Sequence, residues 1–115
     1  MLDKAHRLKK DTDYKRLLKN SRSCSFGALS ARADYNNLDV TRIGVVTGTA
    51  LSKKAVVRNR VRRQLQEIVR LLIKEDKIIK GIDLFIRPFP KAIGLSYQEL
   101  NVMVVGLFQK MGVLV

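Results

Sequence analysis

Arg58, Asn59, Arg60, Arg62 and Arg63 crowd into a single short stretch, with Lys53 and Lys54 just before it and Arg70 just after. From Lys53 to Arg70 there are seven Lys or Arg and one acid, Glu67. Guanidiniums grip phosphate oxygens with paired hydrogen bonds, and ammonium groups add point charge. A solvated helix face normally mixes signs to gain pairs one turn apart. This one hardly does, and such crowding of like charge points to a polyanionic partner, a nucleic acid above all.

Other chemistry has little to stand on. Cys24 is the only cysteine and His6 the only histidine, so an internal disulfide, a Cys-based metal cluster and a His-dependent nucleophile triad are all unsupported. His6 lies among basic residues and reads as a surface or phosphate-contact residue. The close acidic pairs, Asp11 with Asp13 and Glu75 with Asp76, sit where helix-end roles suffice. No set of side chains here suggests protein-only catalysis or a protein metal site.

The basic residues need an element to present them. Val57, Val61, Leu65, Ile68 and Leu72 recur at spacings of three and four, which predicts a helix with one apolar face. On that helix Asn59, Arg63, Gln66, Arg70 and Lys74 share a polar sector. Arg58 and Arg62 border the apolar stripe, where stems can lie on the core edge with the charged heads outward.

With 115 residues and 46% hydrophobic content, the chain is read as a single domain, residues 1–115, with a two-layer core. Its net charge of +13 leaves nucleic acid or an anionic membrane surface as partners. No run is apolar enough to span a bilayer, there is no signal-peptide pattern, and the basic helix lacks Trp. The expectation is a cytoplasmic RNA-binding domain without membrane contact.

In chain order, residues 1–10 read as an irregular basic arm that Leu2 and Leu8 could tack to the core. Asp11 and Thr12 start a helix reaching about Asn20, apolar at Tyr14, Leu17 and Leu18. Tyr14 is open between core packing and stacking on a base. Leu29, Ala31 and Ala33 alternate with Ser30, Arg32 and Asp34 as in a strand with one wet face, and Cys24 and Phe26 suggest a short strand before it. Asn36 to Asp39 is turn chemistry, and Thr41 to Thr47 reads as a strand pairing back as a hairpin. After the basic helix, Ile82 to Arg87 is a short strand, and Pro88 and Pro90 oppose its continuation in a sheet interior. Ser96 and Glu99 form a capping box for a last helix to about Lys110, buried through Leu100, Met103, Val104, Leu107, Phe108 and Met111. The order predicts an α+β two-layer sandwich, αβββαβα, with the basic helix in a crossover between strands.

Ala55-Val56-Val57-Arg58-Asn59-Arg60-Val61-Arg62-Arg63 resembles the Arg-Asn-Arg signature of the bacterial ribonuclease P protein subunit. Arg7-Leu8-Lys9-Lys10 with Asp13-Tyr14, Arg42-Ile43-Gly44-Val45, Ile82 to Pro88 and Ser96 to Leu100 resemble that family's flanking segments, in the same order. The resemblance implies a protein, monomeric in a 1:1 complex with a catalytic RNA, that helps remove the 5′ leader of precursor tRNA. Mg²⁺ would be held mainly by the RNA, with no cofactor bound by the protein alone. It also implies a left-handed crossover, against the usual rule. By the same resemblance, Arg58, Asn59, Arg60, Arg62 and Arg63 contact RNA, with Lys53, Lys54 and Arg70 beside them. Tyr14, Leu18 and Arg32 would line a leader cleft. Two features depart from the family pattern: Leu18 stands where an aromatic is usual, and Ser52-Lys53-Lys54 abuts Ala55 instead of following the third strand directly. A structural rRNA-binding protein would share the charge and layers, and would copurify with a ribosome instead of a single catalytic RNA.

Overall fold

The computed structural model describes residues 3–19 and 21–115. The helices are α1 (Asp11–Lys19), α2 (Ala55–Lys74) and α3 (Tyr97–Met111). The strands are β1 (Arg22–Phe26), β2 (Leu29–Tyr35), β3 (Arg42–Val45) and β4 (Ile82–Pro88), in sheet order β1-β2-β4-β3. The α+β layers and the strand–helix–strand crossover are as the sequence predicts.

The pairing of the third strand is not. β3 does not fold back on β2 as a hairpin. It pairs in parallel with β4, while β2 pairs antiparallel with β1 and β4. The reason lies in β4, which is buried at every residue from Ile82 to Ile86 and therefore needs a neighbour on each side. Had β2 taken β3, β4 would have been left at an edge. β4 also runs one residue further than expected. Pro88 stands in register with Leu29 and ends the strand, and the Phe89 N–H then donates to the Ala28 carbonyl at 2.8 Å.

The two faces of the sheet are covered differently. Leu29, Ala31 and Ala33 of β2 and Ile82, Leu84 and Ile86 of β4 join Val61, Leu65, Ile68 and Val69 of α2 and Leu100, Val104, Leu107 and Phe108 of α3 in the main core. The opposite side of β4 carries Asp83, Phe85 and Arg87. There Phe85, Leu17 and Leu8 form a small separate cluster, with Tyr14 and Val46 against it. So α1 covers part of one face, and α2 and α3 cover the other.

The N-terminal arm is more ordered than its composition suggests. Lys4–His6 is a 3-10 helix, Arg7 bridges Ile43, and the Leu8 N–H donates to the Ile43 carbonyl at 3.1 Å. Leu8 is buried, as expected; Leu2 and Asn20 lie outside the described residues. His6 is half-buried, its Nδ1–H donating to the Thr41 carbonyl at 2.9 Å. The capping box at Ser96 and Glu99 forms as predicted, and Gly112, at φ 73°, closes α3 in a left-handed conformation.

Candidate nucleic-acid interface

The arginine-rich surface begins where the loop at 47–54 enters α2. The N-cap residue is Lys54, and no side-chain oxygen caps the helix there. First-turn N–H groups and the positive end of the helix dipole thus lie beside Lys53 and Lys54, a setting that favours an anion.

The five signature residues divide into two sets. Arg58 and Arg62 are half-buried at the edge of the apolar stripe. Arg58 Nη1 donates to the Ser52 carbonyl at 2.9 Å, and Arg62 donates to Thr47 Oγ1 at 3.5 Å and to Asn59 Oδ1 at 2.5 Å. These contacts tie the loop to the helix. Arg60 and Arg63 are exposed. Their side chains, and those of Lys53 and Lys54, have no hydrogen-bonded or ionic partner among the described residues. Arg70 has its charge engaged, gripping Glu67 through Nε at 3.0 Å and Nη2 at 2.6 Å. That hydrogen bond lowers the Glu67 pKa and raises that of Arg70. The sequence read all eight residues as RNA-contacting; the structure leaves the side chains of four of them, Lys53, Lys54, Arg60 and Arg63, exposed and unpartnered.

On the other face α1 packs against the sheet through Leu17, with Tyr14 beside Phe85. Tyr14 is half-buried, its ring centroid 5.7 Å from that of Phe85 and its hydroxyl donating to the Leu8 carbonyl at 2.8 Å. Burial pushes the Tyr14 pKa up. The ring lies directly over Gly44, where a Cβ would stand 1.9 Å from the hydroxyl oxygen. Leu18, one turn on, is 49% exposed. Arg32 faces Phe85 across the β2–β4 pair and is half-buried. Tyr14 and Arg32 therefore flank Phe85 on the same side of the sheet, with Leu18 half exposed one turn beyond Tyr14.

Sequence reasoning missed two residues here. Arg87 sits over the Phe85 ring at 5.8 Å, a cation–π contact. The signal was available, since Asp83, Phe85 and Arg87 alternate with Ile82, Leu84 and Ile86. Loop residues 48–51 and residues 87–90 then line a pocket of ≈ 400 Å³ beside Arg87 and Val46.

Asp83, the second missed residue, is fully buried. Arg42 grips it with Nε at 2.8 Å and Nη2 at 2.7 Å, Arg16 Nη2 reaches it at 2.6 Å, and Asn36 Nδ2 donates at 2.9 Å. Burial alone would raise its carboxyl pKa. The hydrogen bonds from Arg42 and Asn36, with the charges of Arg42 and Arg16, outweigh that and hold it below the ordinary value. Asp13 and Asp34 join the cluster, 3.6 Å from Arg42 and Arg16 respectively. Guanidiniums fill the space between these carboxylates, so the arrangement does not fit a divalent cation. Among the described residues, no helix is long and apolar enough to cross a membrane.

Comparison with known proteins agrees with this architecture. The family model described as Ribonuclease P matches residues 2–112. The ribonuclease P protein component of Roseiflexus sp. (strain RS-1) is 34% identical over 114 residues, covering 98% of this chain and 91% of that protein. The corresponding protein of Clostridium kluyveri is 33% identical over 107 residues, covering 93% and 95%. The solved RNase P protein of Staphylococcus aureus superposes with a TM-score of 0.83 at 22% identity, covering 96% of this chain and 98% of that one. That of Thermotoga maritima gives 0.80 at 23% identity, covering 90% and 96%. At these identities the solved structures establish the fold.

Proposed function

Because this chain belongs to the ribonuclease P protein family, we propose that it is the protein component of a ribonuclease P ribonucleoprotein and supports removal of the 5′ leader from precursor tRNA. In this reading it acts in the cytoplasm as one RNA-binding domain in a 1:1 complex with the catalytic RNA. The RNA subunit, with its Mg²⁺, carries the hydrolysis, and no step runs through the protein's carboxylates.

The α2 surface is the docking face for the RNA subunit. Its basis is the set of exposed cations at the start of α2, Lys53, Lys54, Arg60 and Arg63, with no acid to neutralise them; the one acid on the helix, Glu67, is already paired with Arg70. That observation carries the proposal. The cleft on the opposite face takes the single-stranded leader. Tyr14 offers a ring face to a base, Arg32 and Arg87 offer charge to the backbone, and Leu18 forms an apolar lip.

Reconstitution with a bacterial ribonuclease P RNA at low Mg²⁺ tests this reading. The protein should restore precursor cleavage that the RNA performs poorly alone, releasing an intact leader and a mature 5′ end. RNA-free protein should cleave nothing. Failure to stimulate the RNA at any protein concentration would refute the assignment. Stable recovery on ribosomes instead would favour the rRNA-binding alternative.

A further inference from the structure

α1 is held to the sheet by little apolar contact. Leu17 is its only fully buried residue, and the cluster beneath it, with Leu8 and Phe85, is separate from the main core. Apolar contact is non-directional, so a cluster this small sets the helix direction only weakly, and the Tyr14 hydroxyl's bond to the Leu8 carbonyl pins it at one point. Directional bonds at the other side of α1 remove that freedom. Arg16 reaches from the helix to Asp83 of β4 at 2.6 Å, to the Tyr35 carbonyl at 3.2 Å and to Asp34 at 3.6 Å. Asp13, one turn earlier, stands 3.6 Å from Arg42, which holds Asp83 in a two-point grip. The chain of charges Asp13–Arg42–Asp83–Arg16 thus starts and ends on α1 and passes through two strands.

We infer that Arg16, Arg42 and Asp83 are positioning residues for the leader cleft: they set the placement of α1, and with it Tyr14, over the sheet. The inference rests on the cleft reading given above. Geometry carries it. Asp83 is fully buried in the face that forms the cleft floor, next but one to Phe85, and receives hydrogen bonds from α1, from β3 and from the turn at Asn36. Nothing in the main core requires a carboxylate at this position, because Asp83 points to the opposite face. Paired guanidinium–carboxylate contacts fix direction as well as distance, which is what holding a stacking residue in register requires.

Arg16→Gln is the informative variant. It removes the Arg16 arm of the tether and leaves Asp13 against Arg42, while Asp83 keeps Arg42 and Asn36, so the buried carboxylate stays compensated and the sheet stays intact. Asp83→Asn serves as a second variant that loosens both ends. The reconstituted holoenzyme is assayed for affinity to a leader-bearing precursor and to mature tRNA, alongside the protein's affinity for the RNA subunit. With Arg16→Gln, precursor affinity should fall by about tenfold, within the cost of a misplaced binding group, with the other two affinities unchanged. Arg16→Lys keeps charge near Asp83 and should recover part of the loss. A merely structural role would lower all three affinities together, and that outcome, or unchanged precursor affinity, overturns the inference. Tyr14→Ala, run in parallel, separates the two claims. If it lowers precursor affinity and Arg16→Gln does not, the positioning role fails alone. If neither variant responds to the leader, the cleft reading fails with it.

Discussion

Gly44 and Tyr14 form the tightest fit on the cleft side. The ring lies where any Cβ on residue 44 would have to go, and the Tyr14 hydroxyl is bonded to the Leu8 carbonyl. Gly44→Ala should therefore displace the ring, costing about 1–3 kcal/mol as an overpacking change. Urea unfolding and the tyrosine fluorescence of the variant, read in a background where Tyr35 and Tyr97 are Phe, check this together; an unchanged midpoint and an unchanged spectrum would contradict it. Asp83 makes a different prediction, in pH. Its pKa is held below the ordinary value by Arg42, Asn36 and Arg16, against burial. A depressed carboxylate stabilises the fold fully above its unfolded pKa of about 3.9, and that stability is lost as pH falls through the lower folded value. Wild type should thus outlast Asp83→Asn in urea by a constant margin from pH 5 to 7, and the margin should shrink below about pH 4. A margin that widens in acid would contradict the assigned shift.

At the level of elements, much was legible. Val61, Leu65, Ile68 and Leu72 are buried as their spacing predicts, and Ser96 with Glu99 caps α3. Strand partners were not legible. Thr41 to Thr47 looks like the second arm of a hairpin because the turn at Asn36 to Asp39 precedes it, but turn chemistry is local and the need of β4 for two neighbours is not. The roles of the arginines were half legible. Helical spacing separates Arg58 and Arg62 from Arg60, yet the backbone and hydroxyl acceptors at Ser52 and Thr47 come from a loop whose path no periodicity reveals. The difference is testable. Arg58→Ala and Arg62→Ala should each cost about 1 kcal/mol of stability, since each loses a charged hydrogen bond to the loop. Arg60→Ala and Arg63→Ala should leave the melting temperature unchanged and weaken binding to the RNA subunit. Thermal melting beside titration of the RNA at fixed salt distinguishes them, and equal melting losses in all four would contradict the division.

Over the whole molecule, a net charge of +13 is arranged around a sheet with two unlike faces. α2 and α3 bury one face in the main core, and the exposed cations project from the start of α2. α1 covers only part of the other face, leaving Arg32 and Arg87 beside an aromatic floor. The charge total announced a polyanionic partner. That the basic helix and the cleft lie on opposite faces depends on the sheet order, which the sequence did not disclose. In the function proposed above, two RNAs meet two surfaces, the catalytic RNA on α2 and the leader on the face beneath α1. The most direct test is the affinity of reconstituted holoenzyme for precursor and for mature tRNA, with wild type and Tyr14→Ala. A lost base stack is worth about 1–3 kcal/mol, so Tyr14→Ala should weaken precursor binding by roughly 5- to 150-fold and leave mature tRNA and RNA-subunit binding unchanged. Equal losses for precursor and mature tRNA, or none for either, would contradict the assignment of the leader to this face.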